Sequence, residues 1–257
     1  MVCYRKLWAC ADVGSPNNCY PTHPRNHTIS LMVTALYFFN TPTRSLPFAI
    51  WAMAIDRGRL RRFKGVSFAK LLGAGKGETF TPRDADIHRW GFLVVIDENQ
   101  LSALDQSSMV KQWRKISTNE YRILLDPISS HGKWSRREPF KVKENVSTDG
   151  KIAAITRARI KATHTSNFFS SVPPVTASLN GSAGLLTAIG IGEAPIGLQG
   201  TFSLWQSASD LRNFAYKGEA HIKAIADTEK FQWYAEELFA RFSVREERGS
   251  MVAKQAN

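Results

Sequence analysis

Leu72-Gly73-Ala74-Gly75-Lys76-Gly77-Glu78 and Ile189-Gly190-Ile191-Gly192-Glu193 occupy equivalent places in the two halves of the chain. Each glycine passage follows a strand-like run, and each is followed by a further strand, a capping residue and an amphipathic helix. Working outward from the first passage, Ile29–Phe39 reads as a buried strand and Gly65–Leu72 as a second. Between them, Thr41-Pro42-Thr43 makes a turn and Ser45 caps a helix to about Arg57. Beyond the passage come a strand at Trp90–Ile96, a helical stretch over 97–115 and a strand at Tyr121–Leu125. Around the second passage, Lys151–Ile160, Gly184–Ile191 and Thr201–Trp205 read as strands, and Thr163 to about Ser178 as a short broken helix. A helical region then starts at Ser207, with Asp210 at the capping-box position, and runs to about Leu238 before a last strand at Phe239–Arg245.

The order is therefore β-α-β-β-α-β, twice. That is an internal duplication of a ferredoxin-like unit, and the expected fold class is α+β, tandem ferredoxin-like repeats forming an α+β barrel. The physical reason is that a four-stranded sheet with helices on one side leaves its other face bare. Two such sheets packed face to face bury both faces and are expected to enclose a ligand cavity. The boundaries follow: residues 1–28 as a leader outside the fold, disordered or mis-started; 29–130 as the first half; 131–150 as a polar linker; 151–248 as the second half; and 249–257 as a tail.

The chain has 257 residues, 43% of them hydrophobic, which is enough for a sizeable core. Lys and Arg number 34 against 22 Asp and Glu, a net charge of +12 that favours anionic partners. All three cysteines (Cys3, Cys10 and Cys19) lie in the leader with no zinc-type spacing, so a reducing, cytoplasmic setting is expected. The longest apolar run, Leu46–Ile55, is far short of the roughly 18–20 residues that span a bilayer.

The glycine passages lack the Gly-Lys-Ser/Thr ending of a phosphate loop and the strand-to-helix placement of a dinucleotide fingerprint. A tight hairpin or bulge is the favoured reading, close approach to a flat cofactor the other. There is no Gly-x-Ser-x-Gly, no His-Glu-x-x-His and no cysteine inside the fold, which removes the common hydrolase constellations. The basic cluster Arg57, Arg59, Arg61, Arg62 and Lys64 suits a solvated helix end, an acidic redox protein or anionic headgroups, and no nucleic-acid-binding motif accompanies it. Among the six histidines, His221 shares a helical face with Phe214, Gly218 and Ile225. It reads either as a core histidine bonded to a carbonyl or as a haem ligand with a glycine one turn away.

Several motifs carry a resemblance. Gly73-x-Gly75-x-Gly77-Glu78-x-Phe80-Thr81-Pro82, Arg89-Trp90-Gly91 and Thr156-Arg157-Ala158-x-Ile160 come first. Gly190-Ile191-Gly192-Glu193-x-Pro195 and Gln199-x-Thr201-Phe202-Ser203-x-Trp205 follow, then His221-x-x-Ala224-Ile225 and Trp233-Tyr234-x-Glu236-Glu237-Leu238-x-Ala240-Arg241-Phe242. In this order, over roughly residues 30–245, the chain resembles the spheroidene monooxygenase family. The resemblance implies an enzyme that inserts oxygen from O2 into a carotenoid, by hydroxylation and ketolation, with haem b as cofactor and electrons from a ferredoxin-type donor. It implies His221 as the axial ligand of the haem iron. Arg157, Arg159 and Arg241 are the expected propionate or distal contacts, because guanidinium pairs well with carboxylate. Glu236 and Glu237 read as a proton relay or as arginine partners. No nucleic-acid partner is expected. The expected location is cytoplasmic, with peripheral contact to the inner membrane left open. Three other functions stay open on the residues: a cofactor-free monooxygenase of the α+β barrel type on an aromatic substrate, haem-dependent aldoxime dehydration on the same architecture, and a non-catalytic carrier of haem or pigment.

Overall fold

A computed structural model of the chain describes residues 31–75, 84–161, 176–193, 200–217 and 234–251. The alternation of the first strand, β1 (Met32–Asn40), sets the layering. Leu36 and Phe38 enter one core cluster, while Val33, Ala35, Tyr37 and Phe39 enter another on the opposite face. After β1, helix α1 (Leu46–Arg61) starts with Pro47 in its first turn. It lays the small residues Ala49 and Ala52, with Asp56 and Leu60, against the sheet. Next come β2 (Val66–Gly75), β3 (Ala85–Asp97), α2 (Glu98–Asp105), α3 (Ser108–Ile116) and β4 (Asn119–Gly132). The expected single helix over 97–115 is two helices. Asp97 caps the first by accepting from Asn99 N–H at 3.0 Å, and Ser107 caps the second by accepting from Val110 N–H at 3.3 Å.

The second half holds β5 (Ile152–Ile160), β6 (Leu185–Gly192), β7 (Gly200–Trp205), α4 (Ala208–Lys217) and β8 (Tyr234–Gly249). Residues 133–151 connect the halves. The Ser207 hydroxyl accepts from Asp210 N–H at 3.2 Å at the start of α4. The helical region expected to reach Leu238 is corrected at its end: residues 234–238 already belong to β8, where Leu238 pairs with Arg157 of β5 and with Gly132 of β4.

The eight strands pair antiparallel in the order β1-β3-β2-β6-β7-β5-β8-β4, and β4 returns to β1. This corrects the expected architecture. The chain does not build a barrel from two four-stranded sheets packed face to face; it has one continuous sheet of eight strands closed on itself. Two seams join the halves. The β4–β8 seam is long, running from Tyr121↔Gly249 to Gly132↔Leu238. The β2–β6 seam is short: Gly73↔Gly192, Ala74↔Ile191 and Gly75↔Gly190. The two glycine passages that signal the duplication thus pair with each other, and each also pairs antiparallel with the next strand of its own half, Gly75↔Ala85 and Ile191↔Gly200, with the expected bulge at Gly73/Ala74.

Inward residues from all eight strands fill the space inside the sheet, among them Phe38, Leu72, Leu93, Ile123, Ile155 and Phe202. Large inward side chains of this kind build the core of a small closed sheet.

Candidate functional site

Lys70 interrupts the inward series Phe68, Lys70, Leu72 of β2, and it is only 5% exposed. Its ammonium lies 5.7 Å from the Phe68 ring centroid and 5.9 Å from that of Trp134. A buried ammonium needs an anion, and Glu193, directly after the β6 glycines, supplies it through a close ion pair. Lys70 also donates to Ser135 Oγ at 2.5 Å. The other Glu193 oxygen accepts from Trp134 Nε1 at 2.6 Å and lies 3.4 Å from the Arg157 guanidinium. Arg157, buried on β5, is paired to Glu236 of β8 and stacks over Trp134 at 5.7 Å. Two cations and two carboxylates thus surround one buried indole, drawn from β2, β5, β8 and the segments after β4 and β6.

The turn carrying Trp134 is held by the same groups. Ser135 and Arg136 are non-glycine residues in the left-handed region, at φ 53° and 63°. Their N–H groups donate to Glu236 at 3.0 and 2.6 Å, which offsets a backbone cost of about 1 kcal/mol each. Burial works to raise Glu193 and Glu236, but their hydrogen bonds and the facing cations outweigh it and hold both below the usual carboxylate range. Burial lowers Lys70, with Glu193 opposing.

Beside this cluster an apolar cleft of about 460 Å³ runs between α1 and the outer face of the sheet, within the size range of small-molecule sites. Its walls include Ile50, Met53 and Ala54 of α1, Leu71 of β2 and Trp90 of β3, with Arg57, Lys70 and Glu193 as its charged lining. The N-terminal part of β2, residues 66–72, has no partner on β6, and the Trp134–Arg137 turn stands there instead: Arg137 donates to Ser67 O at 3.3 Å.

The structure gives each of the expected arginines its own surroundings. Arg157 is in the cluster, but its guanidinium is occupied by Glu236 and Glu193. Arg159 is exposed on β5. Arg241 donates to Ser129 at 2.8 Å and has the opposite strand parity to the inward Ala240 and Phe242. His221 lies outside the described residues. Of the described histidines, His88 Nδ1 is 2.9 Å from the Thr41 carbonyl oxygen. The metal-binding expectation is corrected too: among the described residues, no group of three or more His, Cys, Asp or Glu side chains is placed to hold a metal ion. Glu236 takes the second of its expected roles, as an arginine partner. Lys70 and Trp134 escaped the sequence reading. The available signal was a lone lysine on the core-facing parity of a buried strand.

No protein-family model matches the chain. It is 34% identical to a spheroidene monooxygenase of Rhodobacter capsulatus over 217 residues, 82% of this chain and 89% of that protein. It is 33% identical to the spheroidene monooxygenase of Cereibacter sphaeroides over 180 residues, 69% of this chain but only 55% of that protein. Among solved structures, an aldoxime dehydratase in complex with butyraldoxime shares the fold, with a TM-score of 0.53 at 12% identity over 84% of this chain and 79% of that one.

Proposed function

The chain belongs to the spheroidene monooxygenase family, and from that premise we propose that it inserts an oxygen atom from O2 into a carotenoid-class polyene held in the cleft between α1 and the sheet. The match over 89% of the Rhodobacter capsulatus protein carries the reading. The apolar cleft supports it, because a hydrocarbon chain needs apolar walls and a water-poor reaction site. One atom of O2 stays on the substrate and the other leaves as water. If the carbon becomes an alcohol, two electrons and two protons come from a donor of the ferredoxin type. If a methylene becomes a carbonyl, CH2 + O2 → C=O + H2O balances with the substrate's own electrons. The second reading, cofactor-free oxygenation of an electron-rich aromatic substrate, is the one that needs no bound iron.

The test incubates purified protein with a detergent-dispersed carotenoid and labelled O2, with and without a reductant, while haem and iron are quantified. One labelled oxygen in the product supports the proposal, and absence of any oxygenated product overturns it. Reductant-independent turnover at sub-stoichiometric iron selects the second reading. Ala54→Trp fills the cleft without touching the core and is expected to lower kcat/KM by roughly tenfold or more. Unchanged kinetics would place the substrate elsewhere.

A further inference from the structure

Helix α1 is apolar on the side turned away from the sheet. Ala49, Ala52, Asp56 and Leu60 face inward. On the opposite side Pro47, Ile50, Trp51 and Ala54 are exposed, with Ile50 at 59% and Trp51 at 53%. Ile87 of β3, across the cleft from Ile50, is 54% exposed. Isolated exposed apolar residues need no explanation, but a contiguous group that includes a tryptophan marks an interaction surface. Charge follows directly. Arg57, Arg59, Arg61, Arg62 and Lys64 are all exposed, and the one acid between Leu46 and Lys64 is Asp56. That carboxylate is buried, accepting from Trp113 Nε1 at 3.0 Å and from Arg59 at 3.2 Å.

We infer that the outward face of α1, with Ile87 and the cations through Lys64, docks on an anionic phospholipid membrane. Apolar and indole side chains beside a run of arginines match the chemistry of the interface, where the indole sits at the headgroup level and guanidinium groups meet phosphates. An acidic protein would satisfy the cations but leave Ile50, Trp51 and Ile87 without an apolar counterpart. Ile50 and Ile87 both line the cleft and stand at its rim, so docking turns the cleft toward the hydrocarbon, where an apolar substrate dissolves. Only this last point rests on the proposed function; the docking surface does not.

The test is co-flotation of the full chain with phosphatidylcholine vesicles and with vesicles containing phosphatidylglycerol. Binding is expected to the anionic vesicles and to weaken with salt. Trp51→Ser and the double variant Arg62→Glu/Lys64→Glu lie outside the cleft lining, and each is expected to weaken binding by roughly tenfold with an unchanged circular dichroism spectrum. No flotation with anionic vesicles, or flotation that neither variant weakens, overturns the inference. Retention on immobilised polyglutamate without flotation assigns the patch to an acidic protein. Turnover of detergent-dispersed carotenoid is measured in parallel. Flotation without turnover upholds the surface and sinks the proposed reaction; turnover without flotation does the reverse.

Discussion

Glu193 accepts from Lys70, Trp134 and Arg157 while standing one residue beyond a glycine pair that brings β6 against β2. Its acidity and its position are therefore one design: the glycine seam ends where the carboxylate turns to meet the lysine of the neighbouring strand. Lys70→Met is expected to cost roughly 2–4 kcal/mol, the partial exposure of Glu193 keeping it below a fully buried pair. Denaturant melts check this, and Lys70→Met/Glu193→Gln should recover part of the loss because no unpaired charge is left facing the gap. Gly91 shows the other kind of residue-level constraint. It sits opposite Phe38 in the β1–β3 ladder, and a Cβ there would run into the Tyr37 carbonyl oxygen and the Phe38 ring. Gly91→Ala is expected to destabilise by about 1–3 kcal/mol in the same measurement.

At the level of elements, the two seams differ in strength. The β4–β8 ladder is long and carries Asp126–Arg245 and Tyr121–Glu247 contacts across it, whereas β2–β6 rests on three residue pairs with glycine at four of the six positions. Sheet stability comes from cross-strand side-chain pairs, and glycines supply none. Amide hydrogen exchange should therefore find Ala74 and Ile191 less protected than Ala240 and Phe242; equal protection would mean that the seam does not open separately from the whole. The start of β8 was hidden for a related reason. Tyr234–Leu238 reads as the end of a helix until β5 and β4 are present on either side to hold it extended.

For the whole molecule, the carboxylates set the acid limit. Asp105, Asp126, Glu193 and Glu236 are each pushed up by burial but held, on balance, below the ordinary range by arginine, lysine, tyrosine or backbone donors. Their folded pKa values lie below the unfolded ones, so their contribution is complete above about pH 4 and is lost as the pH falls through the folded values. Asp56 runs the other way: burial raises it, against the donors Trp113 and Arg59, so protonation relieves a cost. With four groups against one, denaturant stability should fall steeply on acidification below about pH 4; a flat profile there would show that these pairs add nothing net.

By itself, the sequence determined the repeat. Alternating apolar strands, the capping residue at Ser207 and the recurring glycine passages report local backbone preferences, and those act within a few residues. The resemblance carried by the motifs likewise placed the family. Tertiary structure decided what local preference cannot reach: that the halves share one sheet, which residues of its eight strands enter the inner core, and that Lys70, Glu193, Arg157 and Glu236 meet around Trp134. The Lys70–Glu193 pair spans 123 residues of chain and Arg157–Glu236 spans 79. Such pairings depend on strand register across two seams, so no window of sequence contains them. The arginines Arg157, Arg159 and Arg241 show the same limit, since charge made them equivalent and burial and strand parity separated them.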